Sequence, residues 1–289
     1  MAGVLRLGAR RFGPGDLVVM AIVNRTPDSF FDRGATFAAD SALRAVERAV
    51  QEGADIVDIG GVKAGPGAEV DVAEEIRRTV GTIAAVREAF PEVVISIDTW
   101  RAEVAVEAVA AGADLLNDTW SGADPALAQV AARTGVGLVC SHAGGLAPRT
   151  RPHRAAFDDA VADVVTTVTG LAERAVSLGV RPDGILIDPA HDFGKNTRHS
   201  LEITRRLGEL VETGWPVLVA LSNKDFVGET LDLPVTERLE GTLAATAVSA
   251  WLGARVFRAH QVRPTRRLLD MVAAIRGDRP PTLSRRGLA

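Results

Sequence analysis

The chain has 289 residues, of which 47% are hydrophobic and 24% are charged, a composition typical of a folded globular protein and not of a disordered one. Its formal net charge of −4 argues against non-specific binding to nucleic acid, which needs a positive surface. No stretch of about 18 uncharged apolar residues is present, and the single cysteine, Cys140, excludes an internal disulfide, so we expect a cytoplasmic protein that binds neither nucleic acid nor membranes.

Eight short runs of apolar and often β-branched residues recur along the chain. Each is nearly continuous in apolar residues, as expected for parallel strands that are buried on both faces. The eight runs lie at 17–24, 54–61, 93–99, 114–119, 137–142, 184–190, 216–223 and 254–262. Longer segments between them, such as 41–53, 74–90 and 237–253, have apolar residues at three- and four-residue spacing and predict helices that cover the sheet.

Eight strand–helix units in 289 residues predict an α/β fold, a single-domain (β/α)8 TIM barrel. The alternative is an open, doubly wound sheet. A GxGxxG motif is missing after the first strand, however, and eight strands suit a closed barrel better. We predict an N-terminal extension at 1–16, the barrel at 17–278 and a C-terminal tail at 279–289.

Polar residues end the predicted strands, and TIM barrels carry their chemistry at this carboxyl-terminal face. Asp98, Asn117 and Asp188 end the third, fourth and sixth strands. Two carboxylates and an amide suit a flat heterocycle with N–H donors, because buried polar groups need partners. Each residue also has a structural alternative: Asp98 could cap a helix, and the other two could be turn residues.

Cationic residues follow the last two predicted strands. Lys224 comes after the seventh strand, and Arg258 and His260 lie in the eighth. TIM barrels often hold a phosphate group in this region, and a cationic rim suits an anion, although Arg258 could instead pair with a carboxylate. At the end of the first strand, Asn24 could hold Mg²⁺ together with substrate phosphates. The spacing predicts a heterocycle–phosphate ligand and group transfer.

Seven motifs, in chain order, resemble those of the dihydropteroate synthase family. They are NRTPDSFFDRG, DIGG with PGAEV, IDTWRAEVA, NDTWSG, DPAHDFGK, SNKDF and RAHQV. The family has a TIM-barrel fold and is usually dimeric. It joins a dihydropterin pyrophosphate to p-aminobenzoate with loss of pyrophosphate, so the resemblance implies a homodimer that binds a pterin-type small molecule and p-aminobenzoate or another acceptor.

The resemblance also implies a role for individual residues. The residues that match the pterin site are Asp98, Asn117, Asp188 and Lys224. Arg258 and His260 would bind the diphosphate, with Asn24 beside the cofactor Mg²⁺, and Phe193 would line the p-aminobenzoate site. Lys224, Arg258 and His260 would then be the catalytic side chains.

The chain departs from the family pattern in three loops. After the second strand the family has Glu-Ser-Thr/Ser-Arg-Pro-Gly, whereas this chain has Ala64 at the hydroxyl position and Gly65 at the arginine position. Asn223 replaces an arginine, and 190–192 replaces a glycine-rich stretch. Losing the arginine's bond to the leaving group should slow the reaction roughly a hundredfold, although Lys63 could substitute in part.

These departures resemble those of the divergent second-copy members of the family, and three functions stay open. The first is a pterin-binding paralogue with weak or no synthase activity. The second is a working synthase that uses Lys63 in place of the arginine. The third is a methyltetrahydrofolate-binding, methyltransferase-like barrel, which the motifs around Lys224 and Arg258 disfavour.

Overall fold

The computed structural model describes residues 3–26, 39–150 and 156–287. Most of the motif at 24–34 therefore lies outside the described residues. Where the structure is described, the strands are β1 (Leu5–Leu7), β2 (Arg10–Phe12), β3 (Val18–Asn24), β4 (Ile56–Gly60), β5 (Val94–Asp98), β6 (Leu115–Asp118), β7 (Gly137–Ser141), β8 (Ile185–Asp188), β9 (Leu218–Ala220) and β10 (Val256–Ala259).

Eight of these strands form one parallel sheet in the order β8-β7-β6-β5-β4-β3-β10-β9. A parallel bridge between Ile187 and Val217, with a 3.0 Å hydrogen bond from the Ile187 amide to the Pro216 carbonyl, joins β8 to β9 and closes the sheet. The TIM-barrel prediction is therefore confirmed, and each of the eight predicted strands overlaps a strand of the barrel.

Helices connect successive strands and cover the outside of the barrel. In the described ranges they are α1 (Ala39–Gln51), α2 (Val72–Ala89), α3 (Ala102–Ala110), α4 (Ala126–Thr134), α5 (Ala160–Ser177), α6 (Thr197–Arg205), α7 (Leu207–Glu212), α8 (Asp225–Leu231), α9 (Leu239–Trp251) and α10 (Val262–Arg276). Among these helices, none has the length and apolar character needed to cross a membrane. The three helices predicted from apolar spacing correspond to α1, α2 and α9.

An apolar plug fills the amino-terminal half of the barrel. Its inward-facing side chains are Val18, Met20, Ile56, Val94, Leu115, Val139, Leu186, Leu218 and Val256. Leu5, Leu7 and Phe12 of the β1–β2 hairpin belong to the same buried cluster. The N-terminal extension thus forms a hairpin that packs against the plug, a structure that the sequence pattern did not predict. Because the plug fills the amino-terminal half, a ligand would bind at the opposite, carboxyl-terminal end of the barrel.

Candidate functional site

The inward positions of the strands change from apolar to polar above the plug. The inward polar residues at the barrel mouth are Asp58, Asp98, Asn117, Ser141, Asp188 and Arg258. Neighbouring strands place them side by side, because Asp98 lies opposite Asn117 and Ser141 lies opposite Asp188 in the strand register. The structure therefore brings the predicted heterocycle-binding residues Asp98, Asn117 and Asp188 to one end of the barrel.

Arg258 lies between two of these carboxylates. Its Nε donates to Asp58 Oδ2 at 2.6 Å, and its Nη2 donates to Asp98 Oδ2 at 2.8 Å. The same Asp58 oxygen accepts from Asn117 Nδ2 at 3.1 Å. These bonds form one network across β4, β5, β6 and β10, and they place Arg258 inside the mouth instead of on a surface ion pair.

Sequence reasoning did not select Asp58 as a site residue, although the structure places it at the centre of this network. The available signal was an ionisable residue within a buried apolar strand, which is uncommon unless the residue is paired. Its Oδ1 is buried and has no hydrogen-bond partner among the described residues, and the same is true of Asn117 Oδ1. Both oxygens are acceptors, so a ligand that carries N–H groups would satisfy them.

Burial and neighbouring charges act in opposite directions on the pKa values of this network. It raises the pKa of Asp98 to about 7, although the positive charge of Arg258 acts in the opposite direction. For Arg258, burial alone would lower the pKa, but the charges of Asp58 and Asp98 outweigh it and raise the pKa. Burial thus favours the neutral form of Asp98, whereas Arg258 stays charged.

Asp188 is enclosed by the loops after β8 and β9. Its Oδ1 accepts from the Ala190 amide at 2.7 Å. Burial raises its pKa, whereas Lys224 and Lys195 favour the ionised form. Lys224 donates to the His191 carbonyl and places its ammonium 5.0 Å from the centre of the Phe193 ring. Lys224 and Phe193, which the resemblance assigns to adjoining sites, are therefore in contact.

Lys195 holds the loop after β8 in place. Its buried ammonium donates to the carbonyls of His142, Ala190 and Phe193 at 3.1, 3.1 and 2.8 Å. Burial lowers its pKa to about 7. The same loop has left-handed backbone at Ala190 and Asp192, with φ of 48° and 69°, a conformation that favours glycine. At positions 190 and 192 the backbone therefore has the left-handed conformation that favours glycine, although the residues are alanine and aspartate.

His191 turns away from Phe193 within this loop. Its ring is fully buried against Phe226, with ring centres 5.6 Å apart, and its Nε2 lies 3.0 Å from Thr204 Oγ1. Phe193 instead contacts Trp120 edge-on at 5.3 Å. The imidazole at position 191 therefore packs in the core, whereas Phe193 packs against Trp120.

The end of β9 and the end of β10 are joined by polar side chains. His260 Nδ1 lies 3.2 Å from Ser222 Oγ, and burial followed by the charge of Arg258 lowers the pKa of His260 to about 3. Asn223 is fully buried, and its Nδ2 donates to Gln261 Oε1 at 3.1 Å. Burial and the charge of Arg258 thus favour the neutral form of His260, and the Asn223 side-chain amide bonds internally to Gln261.

The loop after β4 carries the substituted positions Ala64 and Gly65. Ala64 is exposed, Lys63 is partly buried, and Arg149 approaches from the loop after β7 with its Nε 3.4 Å from the Gly65 carbonyl. Asn24 ends β3 in register with Gly60, beside this loop.

A metal site was predicted at Asn24. The part of the chain that is described contains no group of three or more His, Cys, Asp or Glu side chains that could hold a metal ion. Asn24 supplies one amide group, so these residues do not form a magnesium site by themselves. Mg²⁺ would have to take its other ligands from water and ligand phosphates.

Local turn hydrogen bonds, which were the structural alternative for Asp98 and Asn117, are made by the neighbouring residues Thr99 and Asp118. Thr99 Oγ1 accepts from the Arg101 amide at 3.2 Å just before α3, and Asp118 accepts from the Trp120 amide at 3.0 Å in a turn. His142 is a buried residue whose Nε2 lies 2.6 Å from Asp163 Oδ1. Asp98 and Asn117 themselves bond to Arg258 and Asp58 at the barrel mouth.

Comparison with known proteins identifies the family. The chain matches the family described as "Pterin binding enzyme" over residues 20–260. It is 61% identical over 276 residues to a Mycobacterium leprae protein named "Inactive dihydropteroate synthase 2", covering 94% of this chain and 95% of that one. It is 35% identical to the dihydropteroate synthase of Haemophilus influenzae, covering 88% of this chain and 92% of that one.

The fold leads to the same group of proteins. The crystal structure of Yersinia pestis dihydropteroate synthase in a sulfonamide drug complex matches with a TM-score of 0.90 at 34% identity, covering 96% of this chain and 100% of that one. Together with the barrel-mouth geometry, these similarities show that the chain belongs to the pterin-binding enzyme family and is a dihydropteroate synthase-like protein.

Proposed function

We propose that this protein binds a pterin at the barrel mouth and has weak or no dihydropteroate synthase activity. One observation carries the proposal: the polar layer of Asp98, Asn117 and Asp188 is complete at the mouth, whereas the loop after β4 has Ala64 and Gly65 where the family has a hydroxyl and an arginine. The heterocycle-binding part is retained, and the part that serves the leaving group is altered.

The described contacts support the heterocycle half of the proposal. Asn117 Oδ1 and Asp58 Oδ1 are buried acceptors with no partner in the described structure, and Asp188 is a buried carboxylate at the same end of the barrel. A pterin carries ring N–H and amino groups, so it can satisfy several acceptors at once. Lys224 supplies a cation on the Asp188 side of the mouth.

The leaving-group half is weakened by the loss of a cationic side chain from the loop after β4. A pyrophosphate that departs needs charge-assisted donors aimed at the oxygens where negative charge develops. Gly65 offers no side chain for this task. Arg258 and His260 belong to a motif that matches the family, so the missing guanidinium at position 65 is the departure that weakens this half.

A working synthase is the second candidate, and the position of Arg149 favours it. The guanidinium of Arg149 lies beside the Gly65 carbonyl, 3.4 Å from Nε to oxygen. A cation from the loop after β7, together with Lys63, would then replace the family arginine. In that case p-aminobenzoate or another acceptor would bind near Phe193. The comparisons favour dihydropteroate synthases over the methyltransferase-like alternative.

Three further features belong to this proposal. Mg²⁺ would bind with a diphosphate-bearing ligand near Asn24. The buried, unpaired Cys140 fits a reducing, cytoplasmic location. The exposed apolar residues of α9 and α10, among them Trp251 and Met271, support a homodimer.

Two measurements test the proposed function. Isothermal titration with dihydropterin pyrophosphate and Mg²⁺ should show binding that plain pterin competes away. Asp188→Asn should weaken this binding, whereas Asp270→Asn on the outer helix α10 serves as a matched control and should not. A coupled pyrophosphate-release assay with p-aminobenzoate should run roughly a hundredfold slower than an active member of the family.

The two parts of the proposal fail separately. If no heat is released and pterin does not compete, the chain does not bind pterins. If pyrophosphate is released as fast as by an active synthase, the substitutions at Ala64 and Gly65 do not impair the reaction and the second candidate is correct.

A further inference from the structure

The region beside Phe193 carries a carboxylate to which the proposed function gives no role. Asp192 precedes Phe193 in the loop after β8, within the stretch that replaces a glycine-rich segment of the family. Its backbone is left-handed, with φ of 69°, a conformation that glycine adopts without the steric cost that a side chain brings. The chain therefore places a negative charge where the backbone alone would favour glycine.

Both oxygens of the Asp192 carboxylate have donors within the fold. Its Oδ1 accepts from Ser200 Oγ at 2.8 Å, and its Oδ2 accepts from the Phe226 amide in the first turn of α8 at 3.1 Å. The Ser200 hydroxyl in turn accepts from the Asp192 amide at 3.1 Å. These bonds fix the carboxylate between the loop after β8 and the start of α8.

Lys224 is the cation next to Phe193, with its ammonium 5.0 Å from the centre of the Phe193 ring. Burial lowers the pKa of Lys224, and the charges of Asp192 and Asp188 act in the opposite direction. Asp188 belongs to the mouth, whereas Asp192 is bonded to the first turn of α8. The chain thus already supplies carboxylates to this cation, which lowers its attraction for a carboxylate brought by a ligand.

An acceptor that reacts with a pterin in the mouth has to point its amino group inward. Because Phe193 and the start of α8 lie together, the opposite end of such an acceptor would lie near Lys224 and Asp192. In p-aminobenzoate this opposite end is a carboxylate. Asp225 is bonded to Arg238 at 2.9 Å, so the charge that opposes the ligand carboxylate is chiefly that of Asp192.

We propose that Asp192 is a specificity-determining residue that excludes a carboxylate from the position beside Phe193 and Lys224, so that the acceptor bound there is an uncharged aromatic amine. Two like charges held close together disfavour binding, whereas an uncharged ring of the same shape escapes this repulsion. The inference rests on the proposed pterin function and deepens it by naming the class of acceptor.

A comparison of two ring compounds tests the proposal without requiring turnover. p-Aminobenzamide has the size and shape of p-aminobenzoate but no charge. The wild-type protein is first saturated with plain pterin, pyrophosphate and Mg²⁺, which supply the parts of the substrate without the bond that breaks. Isothermal titration should then show that p-aminobenzamide binds about tenfold more tightly than p-aminobenzoate.

Asp192→Asn identifies the charge that is responsible. Asparagine tolerates left-handed backbone and keeps one side-chain oxygen as an acceptor. The variant should bind p-aminobenzoate about tenfold more tightly than the wild type does, and its affinity for p-aminobenzamide should change less than about threefold. Asp192→Gly removes the charge with a residue that this backbone favours and should show the same gain, so the test does not depend on how one variant folds.

Asp232→Asn is the matched control. Asp232 also has left-handed backbone, with φ of 55°, but it is exposed at the other end of α8. The control should keep the wild-type preference for p-aminobenzamide, because it removes the same charge from the same kind of backbone away from Phe193.

Equal affinity of the wild type for the two ring compounds, or tighter binding of p-aminobenzoate, would overturn the proposal. A preference that both Asp192 variants leave unchanged would overturn it as well. If plain pterin binds but the wild type takes neither ring compound, this inference fails and the proposed pterin binding stands. If plain pterin does not bind, both fail.

Discussion

Arg258 sits between two carboxylates, and this placement determines what a ligand has to displace. Its guanidinium bonds to Asp58, which is fully buried, and to Asp98, whose side chain is 20% exposed. Removing one partner of a buried ion pair leaves the other charge uncompensated, so we expect Arg258 to stay with Asp58 when a ligand N–H binds Asp98. Heterocycle binding would then free one edge of the guanidinium for an anion.

Lys195 differs from Arg258 because its hydrogen-bond partners are neutral carbonyl groups and not carboxylates. Burial lowers its pKa to about 7 from an ordinary value of 10.5. Between these two values the unfolded chain holds a proton that the folded protein has released, so stability rises with pH. The free energy of unfolding should therefore increase by about 2 kcal/mol between pH 7 and pH 9 because of Lys195.

Lys195→Met removes this titration and provides the comparison. We expect the unfolding free energy of the wild type, minus that of the variant, to grow by about 2 kcal/mol from pH 7 to pH 9. Denaturant unfolding at both pH values measures it, and the difference between pH 6 and pH 7 should be nearly constant. A difference that stays the same up to pH 9 would show that the folded lysine titrates well above 7.

The sequence predicts residue positions better than residue partners. Asp98 and Asn117 each end an apolar strand, so strand alternation and the position of TIM-barrel sites are enough to place both at the mouth. The bond between Arg258 and Asp58 joins residues 200 positions apart, and it depends on barrel closure and on how far β10 is shifted along β3. Neither quantity can be read from local sequence.

Among the elements, the eight barrel strands were predictable because each is a long apolar run. The β1–β2 hairpin was not, because its strands have three residues each and periodicity needs a longer window. The hairpin depends on tertiary contacts: Leu5 and Leu7 enter the plug, and Arg255 Nη1 donates to the Gly3 carbonyl at 2.7 Å. Its structure follows from the barrel that it packs against.

The loop after β4 is the element on which synthase activity should depend. Restoring the family side chains by Ala64→Thr with Gly65→Arg should raise pyrophosphate release about tenfold to a hundredfold, because a guanidinium would again stabilise the leaving anion. The matched control combines Ala64→Thr with Gly65→Gln, which has length and hydrogen-bonding groups but no charge, and it should stay near the wild-type rate. Equal rates for both double variants and the wild type would mean that other positions, such as Asn223, limit the reaction.

In the whole molecule, the two ends of the closed barrel have different roles. The amino-terminal end is filled by the plug and the β1–β2 hairpin, and the carboxyl-terminal end holds the polar layer. Family membership followed from motifs at the second end, where residues remote in sequence converge. The quaternary structure is less accessible from sequence, because an apolar residue on a helix can face the sheet or the solvent.

The outer face of α9 and α10 is where we expect two copies to meet. Val248 and Trp251 on α9 and Met271 and Ile275 on α10 are 48–61% exposed. Their three- and four-residue spacing puts each pair on one side of its helix, and the two helices pack side by side. Contiguous exposed apolar side chains of this kind mark association sites.

Trp251→Arg should therefore convert a dimer into a monomer, because it places a charge within the apolar contact without disturbing the barrel core. Sedimentation velocity at micromolar concentrations measures the change, and pterin binding should persist because Trp251 lies on the outside of α9. Val106→Arg is the matched control: Val106 is 43% exposed on α3, away from this face, so its variant should stay dimeric. A monomeric wild type, or equal dissociation of both variants, would exclude this face as the dimer interface.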